Sequence, residues 1–257
     1  MINSSFSESG IFTSTDGSRI DLVSSNTNQL LLGTSLCSTK ITSIKIITYE
    51  IINNKLCIIN LKERLKMRVI SGKYKGRALQ TLEGMNTRPM PARVKEDLFN
   101  ILDNYFIYEN KVGLDIFSGS GQLGIEGLSR GLRQCYLNDY HEGALKIIQN
   151  NIRNLKIDNA IILNVDYQVL LTNFINNNIK IDILFLDPPF KQIDYYYDII
   201  TCILENNLLN NYGIIVCEAN QALSFDNYNL VILKTKNYKN KYLYILRIEK
   251  EDDTNNE

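Results

Sequence analysis

At 257 residues, 44% apolar and 22% charged, the chain can bury one sizeable core and has the profile of a soluble globular protein. No uncharged apolar run reaches the roughly 18 residues of a membrane span, and the N-terminus lacks the basic-then-apolar order of a secretory signal, so the cytoplasm is the expected compartment. Net charge is zero, and five cysteines, odd in number, scattered and never in a CxxC pair, argue against a disulfide framework or a zinc site.

Residues 1–66 are expected to be a low-complexity extension with little order. Ser, Thr and Asn fill nearly half of positions 1–40, with no sustained periodicity. The Ile-rich stretch 41–60 has the composition for a strand or two. A disordered tail, a start placed too far upstream and a targeting piece are all open readings. Ser content suits a transit peptide, whereas the presence of only Arg19 and Arg64 suits it poorly.

Met67 opens the first organised segment. From Arg68 to Lys95 seven basic residues face one acid, Glu83, so a local basic face survives the neutral total. In KYKGR and RPMPARVK, Lys and Arg alternate with Tyr74, Gly72 and Gly76, a pattern suited to a hairpin or loop laid on phosphates. Residues 67–110 are therefore read as a basic RNA-binding segment and helix, with Arg68, Lys73, Lys75, Arg77, Arg88 and Arg93 as contacts; a solvated charged face is the plainer reading. Val94, Leu98, Ile101, Leu102 and Tyr105 form a helical stripe for packing, with Arg93 and Lys95 on other faces.

From residue 111 to 250 the chain alternates strand and helix. Apolar runs occur at VGLDIF, CYLND, AIILNV, IDILFLD, GIIVCEA, LVILK and YLYILRI, with helical stretches between the first five. Such alternation predicts right-handed βαβ units and a mostly parallel α/β sheet covered on both faces, and the last two runs predict an antiparallel hairpin at its edge. Leu145, Ile148, Ile152 and Leu155 make one apolar stripe for the sheet. Residues 251–257 are an acidic tail.

Ligands of open α/β sheets bind beyond the carboxyl ends of the strands, and there the informative residues cluster. After the first strand comes LDIFSGSGQLGIEGLSRG. Gly119, Gly121 and Gly124 match GxGxxG, with Asp139 twenty residues beyond Gly119, which is the dinucleotide fingerprint and keeps a nicotinamide enzyme as a competing reading. Against it stands Asp115, whose carboxylate before the glycine turn would face a pyrophosphate with the wrong charge. S-adenosyl-L-methionine carries an amino group and a sulfonium and no phosphate, and Asp139 is placed for its ribose diol and Asp166 for its adenine amine. Each aspartate taken singly also reads as a helix cap.

The fourth strand ends in FLDPPF, which holds two of the chain's four prolines. Asp187 and the Pro188 carbonyl can accept from one exocyclic NH2 while Phe190 offers a face for a base. Two acceptors on an aromatic amine favour the pyramidal geometry in which its lone pair attacks, and they stabilise the charge developing on nitrogen. The prolines hold those acceptors rigid. A base that reaches such a pocket is flipped or looped out of its stack.

The motifs MRVISGKYKGRALQ at 67–80, GMNTRPMPARVKEDLFNIL at 84–102, DIFSGSGQLGIEGLSRG at 115–131 and FLDPPF together resemble the RsmD-like methyltransferases, over Met67 to about Ile248. The resemblance implies a Rossmann-like class I methyltransferase fold with a seven-stranded sheet, S-adenosyl-L-methionine as donor, and the N2 of a guanine in small-subunit (16S) ribosomal RNA as acceptor. Carried onto matching positions, Asp115, Phe117, Gly119 and Gly121 would cradle the cofactor, Asp139 would take the ribose, and Asp187, Pro188 and Phe190 would handle the guanine. The partner would be ribosomal RNA in a small subunit or assembly intermediate, and a monomer is expected.

Three departures from the family pattern stand out: Met90 where a Thr is usual after Arg-Pro, Lys239 where a glycine is usual, and Asp139 where Glu is commoner. A DNA or RNA adenine-N6 or cytosine-N4 methyltransferase shares the DPPF chemistry, and a catalytically silent RNA-binding protein would keep the basic segment; both remain alternatives. His141, the sole histidine, excludes a histidine metal cluster and a Ser-His relay and reads as a residue that starts a helix. Tyr195, Tyr196 and Tyr197 are read as covering the pocket lip or the sheet, and Lys234, Lys236, Lys239 and Lys241 as a second basic cluster of open purpose.

Overall fold

The computed structural model describes residues 67–249 except 82–89, 190–191 and 240, together with the backbone of five strands within Met1–Lys66. The chain divides into two units, Met1–Lys66 and Met67–Glu257.

In the first unit, β1 (Phe12–Thr13), β2 (Arg19–Ser24), β3 (Gln29–Gly33), β4 (Ile47–Ile52) and β5 (Lys55–Asn60) pair in chain order as an antiparallel sheet. Strands at β4 and β5 match the Ile-rich stretch, whereas β1–β3 lie where no strand was expected. Composition averaged over a long window conceals RIDLVS and QLLLG, two short β-prone runs whose backbones pair from Asp21↔Gly33 to Ser24↔Leu30.

The second unit is built on a seven-stranded sheet. Its strands are β6 (Val112–Asp115), β7 (Gln134–Asn138), β8 (Ala160–Leu163), β9 (Ile181–Leu186), β10 (Leu209–Ala219), β11 (Val231–Tyr238) and β12 (Lys241–Arg247), in the order β11-β12-β10-β9-β6-β7-β8. β6 runs parallel to both β7 and β9, β8 continues on β7, and β10 on β9. β12 pairs antiparallel to β10, and β11 to β12. This is the Rossmann-like class I methyltransferase architecture with its edge hairpin. β11 extends to Tyr238, past the LVILK run, so only Lys239 and Asn240 separate the hairpin strands.

Helices α1 (Ala92–Leu102), α2 (Gln122–Arg130) and α3 (Glu142–Leu155) pack on one face, and α4 (Tyr167–Asn176) and α5 (Asp194–Glu205) on the other. Alternation along β9 divides its side chains between two cores: Ile183 and Phe185 join Leu98, Leu123 and Ile148, while Leu184 and Leu186 join Leu170, Phe174 and Ile199. Every residue of β9 is buried, as expected of a parallel strand covered on both sides. On α1 the buried residues are Val94, Lys95, Leu98, Phe99 and Leu102, so Phe99 joins the stripe. Tyr105, expected to pack, is 43% exposed because the helix has already ended at Leu102. The N-cap of α1 is Pro91, with no side-chain cap; Met90, in place of Thr, is fully buried instead.

Residues 67–79 form a small hairpin closed by the Arg68↔Ala78 bridge and by bonds Val69 N–H to Arg77 O and Leu79 N–H to Met67 O. It rests on α2 through side chains that satisfy its backbone. Glu126 accepts from Ile70 and Ser71 N–H (2.8 and 2.9 Å), and Ser129 Oγ accepts from Tyr74 N–H. Gly72 has φ +79°, and a Cβ there would lie 1.8 Å from the Ser129 carbonyl oxygen, which Lys73 N–H must reach. Gly72→Ala is expected to cost about 2 kcal/mol, read by chemical denaturation, since strain in the left-handed region adds to a clash with backbone.

Candidate active site

The winding of the sheet reverses between β6 and β9, so the crevice beyond their carboxyl ends is the switch point where open α/β sheets take ligands. Asp115 ends β6 and Asp187 follows β9. Asp115 is buried, and Oδ2 accepts from Gly124 N–H at 3.1 Å. No described basic side chain forms an ion pair with it. Burial, with Asp187 and Asp139 nearby, pushes its pKa up to about 7 from an ordinary 3.8, against the pull of the Gly124 bond. The loop that follows is set by Gly119 (φ +55°) and Gly121 (φ +77°), conformations that a side chain rarely adopts, and a Cβ on Gly119 would meet open space. Ser118 Oγ donates to the Asp115 carbonyl and Ser118 N–H to the Asn138 carbonyl, which ties the loop to β7.

Asp139 Oδ2 accepts from Gly119 N–H (2.8 Å) and Oδ1 from His141 N–H (2.9 Å), so this carboxylate fixes the glycine loop from the neighbouring strand end. Each oxygen retains a second lone pair. Asp166 is exposed and caps α4, accepting from Gln168 N–H at 2.8 Å. Phe117 stacks on Tyr195 with ring centroids 5.9 Å apart, and Tyr167 closes the trio at 4.7 Å from Tyr195. His141 caps α3 through Nδ1, which accepts from Gly143 N–H.

Asp187 is half-buried, and the protein packed around it pushes the carboxyl up to about 6, partly opposed by the charge of Lys241. Pro188 is buried and Pro189 exposed, with the Pro189 carbonyl taken by Gln192 N–H at 3.1 Å. Phe190 and Arg88 lie outside the described residues. A small open pocket lies beside Pro188, lined also by Gln192, Tyr196 and Glu218. The three consecutive tyrosines diverge: Tyr195 joins Phe117, Tyr196 is buried and donates to the Glu218 carbonyl, and Tyr197 stacks on Tyr228.

The structure therefore gathers Asp115, Phe117, Gly119, Gly121, Asp139, Asp187 and Pro188 at one edge of the sheet, with Asp166 at the head of α4. The family model described as Conserved hypothetical protein 95 matches residues 67–247. The chain belongs to this family. Over 153 residues it is 38% identical to "Putative rRNA methyltransferase YlbH" of Bacillus subtilis, spanning 59% of this chain and 82% of that protein. Over 184 residues it is 32% identical to "Ribosomal RNA small subunit methyltransferase D" of Haemophilus influenzae, spanning 70% and 93%. Among solved structures, "Putative methyltransferase yhhF from Escherichia coli" superposes with a TM-score of 0.63 at 27% identity, over 72% of this chain and 99% of that one.

In this member of the Conserved hypothetical protein 95 family the basic residues do not act alike. Lys73, Lys75, Arg77 and Arg93 are exposed, with Lys73 Nζ 5.2 Å from the Tyr74 ring centre. Arg68 and Arg77 are also spent on the hairpin, donating to the Gly76 and Asn154 carbonyls. Lys95, counted with the basic face, is fully buried: Nζ donates to the Arg68 carbonyl (2.8 Å) and pairs with Glu126 (3.5 Å). In the C-terminal group, Lys236 pairs with Asp97, Lys241 is buried against Glu218, and Lys234 and Lys239 are exposed.

Sequence reasoning missed Asn138 and Glu218, whereas Tyr196, read as covering the pocket lip or the sheet, lines the pocket beside Pro188. Asn138 is 2% exposed and binds Ile116, Val165 and the β7 end together, with Nδ2 donating to the Ile116 and Val165 carbonyls and Oδ1 accepting from Val165 N–H. A buried amide beside Asp139 in CYLND was the available signal. Glu218, closing an apolar strand in GIIVCEA, was another.

Proposed function

We propose that this protein transfers a methyl group from S-adenosyl-L-methionine to the exocyclic N2 of a guanine in small-subunit ribosomal RNA, working as a cytoplasmic monomer. The observation that carries the reading is the pair of carboxyls at the switch point, Asp115 before a glycine loop and Asp187 before two prolines. The fit to the cofactor rests on Asp115, a buried carboxylate with no basic partner among the described residues, beside open space at Gly119. A cationic ligand suits that position, whereas a pyrophosphate would meet like charge. When bound, S-adenosyl-L-methionine supplies an electrophilic methyl group on a sulfonium. Asp115 and the loop at Gly119 and Gly121 would hold it, with Asp139 toward the ribose, Asp166 toward the adenine and Phe117 against the base.

Asp187 and the Pro188 carbonyl accept from the guanine amine, hold its lone pair toward the donor and stabilise the charge that develops on nitrogen. Phe190 offers the stacking face. Residues 67–110 would hold RNA by phosphate contacts from Arg68, Lys73, Lys75, Arg77, Arg88 and Arg93, and residues 111–250 would carry the chemistry. Among the described residues no helix is long and apolar enough to cross a membrane. The relatives named ribosomal RNA methyltransferases support ribosomal RNA as substrate, in a subunit or an assembly intermediate.

The test is methyl transfer from labelled S-adenosylmethionine to small subunits isolated from a strain lacking such an enzyme, followed by nucleoside analysis. N2-methylguanosine is the expected product; label on adenine or cytosine would move the assignment to the N6 or N4 amine class.

The raised carboxyls set a pH dependence. Asp187 accepts hydrogen bonds best when ionised, and its pKa lies at about 6, so the transfer rate should fall about tenfold per unit below that pH, far above where an exposed aspartate would act. Asp115, at about 7, is partly protonated in the free protein, and a bound cation favours its ionised form. Cofactor affinity should therefore rise from pH 6 to 8 with release of a proton, measured by calorimetry in buffers of different ionisation enthalpy. The sign for folding is opposite: two carboxyls raised in the folded state stabilise it most below their ordinary pKa, and that contribution is lost as pH rises through 6 and 7.

A further inference from the structure

Glu218 and Lys241 form a buried ion pair at the same end of the sheet as Asp187. Glu218 is the penultimate residue of β10, and Lys241 opens β12. Antiparallel pairing of Ala219 with Tyr242 brings the two to one corner. They are 2% and 8% exposed, and the Lys241 ammonium contacts Glu218 Oε1. Glu218 Oε2 takes no hydrogen bond among the described residues. Glu218 lines the pocket beside Pro188, and Lys241 contacts Glu218, so the pair stands next to the DPPF motif. As a stabilising device such a pair is weak, because desolvating both charges offsets their attraction.

We infer that Glu218 and Lys241 read the Watson–Crick edge of the acceptor base and make the site selective for guanine; the inference rests on the guanine-N2 reading above. Along that edge guanine presents a donor at N2, a donor at N1 and an acceptor at O6. Asp187 and Pro188 offer acceptors, Glu218 a further acceptor and Lys241 a donor. These are the chemical complements of the three groups on that edge. A base that carries the 2-amino group but has an acceptor at N1 and a donor at position 6 meets Asp187 correctly and the buried pair wrongly twice. Unpaired buried polar groups are the strongest means a site has of rejecting an analogue.

That base is 2,6-diaminopurine, which separates holding the amine from reading the edge. Small-subunit RNA would be made by splinted ligation, with either guanosine or 2,6-diaminopurine riboside at the methylated position, assembled into subunits and given to the full-length protein. The wild type should prefer guanosine by at least 100-fold, an order-of-magnitude expectation for a site with two mispaired polar groups. Glu218→Gln should shrink that preference at least tenfold, because an amide presents either a donor or an acceptor to N1. Lys241→Gln should shrink it by a similar factor through position 6, and labelled cofactor binding confirms that each variant is folded. Equal wild-type rates on the two bases, or an unchanged preference in both variants, would overturn the inference while leaving guanine-N2 methylation standing. Failure of the wild type on guanosine itself would instead remove the reading on which the inference rests.

Discussion

Replacing Asp187 with Ala is expected to lower the rate of methyl transfer by a factor of about 100 to 1,000 while leaving cofactor binding intact. Removing one preorganised group that stabilises developing charge carries a penalty of that size. The cofactor arm follows from the electrostatics: Asp187 is one of the charges that raise the Asp115 pKa, so its removal favours ionised Asp115 and should hold or tighten affinity near pH 7. Single-turnover transfer with labelled donor measures the first quantity and equilibrium titration the second. A variant within threefold of the wild-type rate would take Asp187 out of the chemistry. Asp187→Asn sharpens the comparison, since the amide keeps one acceptor oxygen but loses the charge, and it should fall between the two.

Replacing Glu126 with Ala should destabilise the Met67–Glu257 unit by about 3–5 kcal/mol, the range for breaking a buried ion pair by removing one partner. Both Glu126 and Lys95 have fully buried side chains, and Glu126 also accepts from Arg130 Nε, Ile70 N–H and Ser71 N–H. Its loss leaves the Lys95 ammonium, whose pKa burial already lowers, without a counter-charge. For a unit of this size the change corresponds to a melting point lower by roughly 10 °C. Glu126→Gln, which can still accept from the backbone, should be milder. A loss under about 1 kcal/mol in Glu126→Ala, the size of an ordinary surface pair, would show that the pair carries little of the hairpin's attachment.

The parallel sheet was legible because each of its strands is an apolar run bounded by turn residues, and the edge hairpin because no helix fits between LVILK and YLYILRI. Asp115, Asp139 and Asp187 were legible as strand-end carboxylates. Their neighbours were not. Lys95 sits in a segment whose charge count promised an exposed face, and only the meeting of α1 with α2 reveals that it is buried. Glu218 and Lys241 are brought together by strand register, which single-chain periodicity does not encode. Tyr195, Tyr196 and Tyr197 look alike in sequence, yet successive helix positions point about 100° apart and so reach three environments. In the Met1–Lys66 unit, averaging composition over a long window hid strands as short as β2 and β3.

Asn151 on α3 donates through Nδ2 to the Ser120 carbonyl in the glycine loop and to the Gln80 carbonyl, and its Oδ1 accepts from Gln80 N–H. One amide thus joins the loop that would face the cofactor to the segment that leads from the basic hairpin. No near-isosteric replacement serves all three bonds: aspartate loses both donations, leucine loses everything, and serine is too short. All three partners are backbone atoms, so residues 80 and 120 can change without breaking the joint, whereas losing the amide at position 151 frees both regions at once.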